Sequence, residues 1–125
     1  MKLRIQDSAI RLRLSPSEVA QLASTGHVAS AAHFGAGCML TYAVEAGIHD
    51  GLRAEFRDGA LTVFVPRAWI APWTNSDRVG FEAVQDVGDG RTLSLLVEKD
   101  FDCLHKPSPG DAFPHPLAET QADGD

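Results

Sequence analysis

The chain has 125 residues, 44% of them hydrophobic and 22% charged, with a formal net charge of −6. That length suits a single domain able to bury a core without disulfides or metals, and the composition is that of a soluble globular protein. No apolar run approaches the roughly 20 residues of a membrane span, and the opening Met1-Lys2-Leu3-Arg4-Ile5-Gln6 has no signal-peptide core, so a cytoplasmic location is expected.

The charge is unevenly spread. Glu98, Asp100, Asp102, Asp111, Glu119, Asp123 and Asp125 face only Lys99 and Lys106, so −5 of the total lies from Glu98 onward and the body is nearly neutral. Lys2, Arg4, Arg11 and Arg13 gather at the other end of the chain. Cys38 and Cys103 carry no Cys-rich pattern around them and read as reduced thiols.

Leu3 and Ile5 alternate with polar residues, as do Ile10, Leu12 and Leu14, which predicts two half-buried strands turning at Asp7-Ser8. At Ser15-Pro16-Ser17-Glu18 the period changes. Ser15 is suited to cap, Pro16 to the first helical position, and Glu18 to reach back to the Ser15 N–H. Val19, Leu22 and Ala23 then share a helix face, and Gly26 ends the helix. Residues 28–34 and 38–46 read as a hairpin around Gly35-Ala36-Gly37, with Leu40, Tyr42 and Val44 inward. Leu52, Ala54 and Phe56 alternate up to Asp58-Gly59, a strong hairpin signal, and Leu61, Val63 and Val65 return. Pro66 opens a second helix that Pro72 limits to a turn or two. Val79, Phe81 and Ala83, then Leu93, Leu95 and Val97, give a last hairpin around Gly88-Asp89-Gly90.

The same order therefore occurs twice, as pseudo-repeats at about 2–46 and 52–98. An internal duplication of a ββαββ unit is the preferred reading. Each copy is expected to form a four-stranded antiparallel sheet with one apolar face. Burying the two faces against each other gives an α+β, mainly antiparallel, eight-stranded barrel or sandwich with the two short helices plugging its ends. The globular domain is placed at 1–117, with 99–117 as an added segment, and 118–125 as a disordered acidic tail.

Three groups of residues could carry chemistry. Glu98, Asp100, Asp102, Cys103 and His105 lie within eight positions, and Cys103 with His105 suits zinc, joined by Asp100 and by His33 across the fold. The competing reading is a structural seal in which Phe101 and Leu104 anchor the segment, the acids are solvated and no cofactor is held. Lys2, Arg4, Arg11 and Arg13 should share one outer strand face, a patch for an anion or a partner. With no aromatics among these cations and an acidic whole, nucleic acid is disfavoured. Trp69 and Trp73, four apart, read as core.

Arg4-Ile5, Ile10-Arg11-Leu12-Arg13-Leu14, Glu18-Val19, His33-Phe34-Gly35, Leu61-Thr62-Val63, Val65-Pro66 and Val97-Glu98-Lys99-Asp100-Phe101 with Cys103-Leu104 together resemble a small bacterial family of uncharacterised single-domain proteins. The resemblance covers about 2–117 and implies a free-standing cytoplasmic protein without implying a mechanism. The sequence points to a non-enzymatic binding or protein-interaction module, with an unknown protein partner or self-association and no membrane. The alternative is a metal-dependent or thiol-dependent enzyme centred on Cys103 and His105.

Overall fold

The computed structural model describes residues 1–101 and Phe113. Eight strands and two helices follow in the expected order: β1 (Lys2–Gln6), β2 (Ala9–Leu14), α1 (Pro16–Thr25), β3 (His27–Gly35), β4 (Cys38–Gly47), β5 (Arg53–Arg57), β6 (Ala60–Pro66), α2 (Arg67–Thr74), β7 (Gly80–Gly88) and β8 (Arg91–Lys99). The class is α+β with mostly antiparallel strands.

Local chemistry sets the helix starts. Ser15 accepts from the Glu18 N–H while the Glu18 carboxylate accepts from the Ser15 N–H, and Gly26 closes α1 at φ 80°. Val19 and Leu22 are buried, but Ala23 is exposed, so the apolar stripe is narrower than its spacing implied. In α2, Pro72 lies inside the helix rather than at its end. The helix still runs only eight residues.

The sheets depart from the expected pairing. One sheet has the order β1-β2-β8-β7 and the other β3-β4-β6-β5, so each combines a hairpin from one half of the chain with a hairpin from the other. Neither half forms a sheet of its own. The joining pairs, β2 with β8 and β4 with β6, are parallel and central. A physical reason lies in the helices, which carry the chain from one sheet to the other. α1 leaves β2 and delivers β3 to the opposite sheet, and α2 leaves β6 and returns β7 to the first.

This crossing puts both helices at the same end of the molecule, in contact with each other. The expectation of one helix at each end is corrected accordingly. The two sheets face each other as a sandwich and do not close into one barrel. Inward positions supply the core: Leu12, Leu14, Val44, Val63, Val65 and Val97 are buried to 1% exposure or less, with Trp73 of α2 sealing the helix end at 0%. Full burial of each such aliphatic side chain contributes about 1.5–3 kcal/mol. Trp69 is partly buried against this core, and both indoles pack on Phe81.

Among the described residues, no helix is long and apolar enough to cross a membrane. The residues expected to form a disordered tail, 118–125, lie outside the described ones.

Candidate functional site: the outer face of the first sheet

Alternation puts Lys2 and Arg4 of β1 on the same side of the sheet as Arg11 and Arg13 of β2. Antiparallel register then sets Lys2 opposite Arg13 and Arg4 opposite Arg11. Four cations so arranged repel one another unless compensated. Compensation comes from β8, on the far side of β2. Glu98 stands in register with Arg13 and accepts from Arg11 Nε at 2.6 Å and Arg13 Nε at 3.1 Å. Asp100 pairs with Lys2 at 2.9 Å. Both acids are buried, at 8% and 7% exposure, beneath the cations they neutralise.

Arg4 is the exception. It is exposed, and its guanidinium donates to Gln6 Oε1 at 3.2 Å. No carboxylate among the described residues pairs with it. Beside Arg4 and Arg11 lies an open cleft of about 580 Å³, lined also by Val84, Leu96, Ser94 and Glu82. Val84 is 70% exposed and Leu96 half-buried, so an apolar floor adjoins a cationic wall. A planar guanidinium matches a carboxylate or phosphate group. The arrangement can hold an anion attached to an apolar body.

The second sheet, built on the same plan, lacks this face. Its positions corresponding to Arg11 and Arg13 are Thr62 and Phe64, and Glu55 stands where Arg4 does. The parallel pair β4–β6 brings Glu45 beside Phe64 rather than beside an arginine. Glu45 instead meets the exposed His27 ring at 3.0 Å.

The acids of the 98–100 segment thus serve as internal counterions, and Lys99 between them points the other way. Lys99 is 5% exposed and donates to the Ser76 carbonyl at 2.7 Å, with the Trp73 and Phe113 rings 6.0 and 5.5 Å from its Nζ. Burial pushes its pKa below the usual 10.5, and the charge of Asp77 opposes that shift. Phe101 and Phe113 form a parallel bridge with their rings 5.8 Å apart, so the chain beyond β8 returns to the body at this point.

Of the residues expected to bind metal, Cys103 and His105 lie outside the described residues. His33 is exposed near the β3–β4 turn, while Asp100 lies at the helix end of β8 and donates its N–H to Leu14 O. These two therefore occupy opposite ends of the sandwich. Among the described residues no group of three or more His, Cys, Asp or Glu side chains is placed to hold a metal ion.

The arginine array was legible in the sequence, but the apolar floor beside it was not. Its signal was the Leu95-Leu96 doublet, where alternation breaks and an apolar residue takes an outward position. Only the β2–β8 pairing sets that leucine beside the arginines.

No curated protein and no solved structure matches this chain. A family model does match, across residues 1–117 and so across the whole sandwich, and the chain belongs to that family, a family of unknown function (DUF7009).

Proposed function

We propose that this protein is a non-enzymatic binding module, and that the outer face of the β1-β2-β8-β7 sheet is its binding surface. The ligand is an anionic group, carboxylate or phosphate, carried on an apolar body. One observation carries this reading: Arg4, without a carboxylate partner among the described residues, borders a cleft floored by Leu96 and Val84. Arg11 and Arg13 share the one carboxylate of Glu98, which holds both in place and leaves the face positively biased.

We attribute the repeated plan to internal duplication. Equivalent turns support this, since Asp7 of the β1–β2 turn and Asp58 of the β5–β6 turn adopt nearly the same left-handed φ of 50° and 51°. On that view the first copy holds Arg4, Arg11 and Arg13 where the second holds Glu55, Thr62 and Phe64, so binding is confined to one sheet.

The test is a titration with octanoate and with octyl phosphate, followed through backbone amide shifts of β1, β2 and β8, with octylammonium as the opposite-charge control. Both anions are expected to shift these strands, more weakly as salt is raised. The Arg4→Ala variant should bind about tenfold less tightly, the loss of one hydrogen bond to a charged group. Equal binding by Arg4→Ala, or anions that shift nothing on this face at millimolar concentration, would sink the proposal.

A further inference from the structure

With α1 and α2 both closing one end of the sandwich, no element among the described residues covers the other end. Four hairpin turns stand there, at Asp7-Ser8, Ala36-Gly37, Asp58-Gly59 and Asp89-Gly90. The alternation that builds the core continues toward these turns beyond the point where the core stops. Ile5, Phe56 and Val87 continue toward the turns beyond the core and are 58%, 69% and 51% exposed, and Phe34, at the β3–β4 irregularity, is 70% exposed. Ile5, Phe56 and Val87 form the lip of a cavity of about 320 Å³ that enters between the sheets, with Leu40, Leu61 and Leu93 behind them. Large apolar side chains clustered in the open, around an apolar depression, mark an interaction site.

The rim is acidic. Asp7, Asp58 and Asp89 occupy three of the turns, and Asp86 stands on an adjoining strand end, against Arg57 and Arg91. The left-handed backbone accounts for a small polar residue at each turn, but Asn or Gly takes that conformation as readily. The negative charge is a separate choice.

We infer that this open end docks a segment of another protein that presents one bulky apolar side chain between lysines or arginines. The cavity accepts a single large side chain, the exposed phenylalanines extend the contact beyond it, and the acidic rim meets the basic flanks. This is the arrangement of a central apolar anchor within a charged periphery. An anionic membrane surface is repelled by such a rim, and a second copy of the chain brings the same charge. A free apolar molecule would fill the cavity and leave Phe34 uncovered. The site shares neither Arg4 nor Leu96 with the face proposed above, so the two proposals can fail independently.

The experiment uses a synthetic amphipathic peptide of leucine and lysine, its leucine and glutamate counterpart, and octylammonium as a free apolar cation. Binding is read by calorimetry and by amide shifts at the four turns. The leucine–lysine peptide is expected to bind, with amide shifts confined to the turn end. Phe56→Ala should weaken it by about tenfold or more, as for a central interface anchor, and the Asp58→Asn, Asp89→Asn double variant several-fold, with the difference vanishing at high salt. Since Phe56 is largely exposed, an unchanged melting temperature separates this loss from misfolding, and Val87→Ser repeats the test at a second lip residue. Four outcomes would overturn the inference. They are equal binding of the glutamate peptide, peptide binding indifferent to both Phe56→Ala and Val87→Ser, octylammonium binding as tightly as the peptide, and a concentration-dependent dimer that Phe56→Ala abolishes.

Discussion

Lys99 shows how one residue's setting reverses the reading its neighbours suggest. In sequence it sits inside an acidic run, yet it points inward and stacks its ammonium against aromatic rings while its flanking acids point outward. Its pKa in the fold lies below the unfolded value of 10.5 because burial disfavours the charged form. Between those two values the unfolded chain holds a proton that the folded chain lacks. Stability therefore rises with pH across that window and is independent of this group below it. Denaturant midpoints measured as pH rises toward 10.5 should increase for the wild type relative to Lys99→Met, and parallel curves would remove Lys99 from the account. Of the residues singled out in the 98–105 segment, Glu98 and Asp100 were recognisable as ionic groups. Which cation each one meets was not, because Arg11 and Lys2 lie more than 80 positions away in the chain.

At the level of elements, the hairpins and helix starts follow from local rules, and the closest backbone approach does not. Gly80 opens β7 against β8, where an added Cβ would stand 2.1 Å from Val97 O and 2.6 Å from Glu98 Cα. Both obstacles are backbone and cannot swing away. Gly80→Ala should cost about 3 kcal/mol or more, a fall of roughly 10 °C in thermal melting. Gly51→Ala, with nothing within 4 Å of the new Cβ, is the matched control and should change stability by less than about 0.5 kcal/mol. Comparable melting of the two variants would contradict this account. The sequence offered no hint at Gly80, because it lies at a strand start rather than in a turn, and close approach is a property of the pair.

For the whole molecule, the seam between the sheets matters as much as the sheets. Gln85 of β7 accepts from Ala54 N–H at 2.7 Å and donates to Ala54 O at 3.1 Å, so its amide acts as a fragment of strand joining β7 to β5 across the sandwich edge. Gln85→Ala leaves a buried backbone N–H and C=O without partners, at a cost of about 1–3 kcal/mol. Hydrogen exchange at the Ala54 amide should accelerate in that variant while exchange at β2 and β8 changes less. Unaltered protection at Ala54 would show that the seam does not depend on this side chain. On the opposite seam, the Tyr42 hydroxyl donates to Met1 O at 3.3 Å.

Strand positions, turn residues, the helix caps and the order ββαββ taken twice were determined by the sequence, because period-two alternation, left-handed turn residues and capping pairs act over a few residues. The same alternation established that Lys2, Arg4, Arg11 and Arg13 share a face. Tertiary structure decided which hairpins pair. Backbone ladders are indifferent to chain order, and both halves present equivalent edges, so pairing within a half and exchange between halves satisfy the same local pattern. The two helices select exchange by carrying each half across to the opposite sheet. From that follow the remaining features: Glu98 near two arginines, Leu96 beside Arg11, one end sealed by both helices, and the other, among the described residues, left open with its apolar lip and acidic turns.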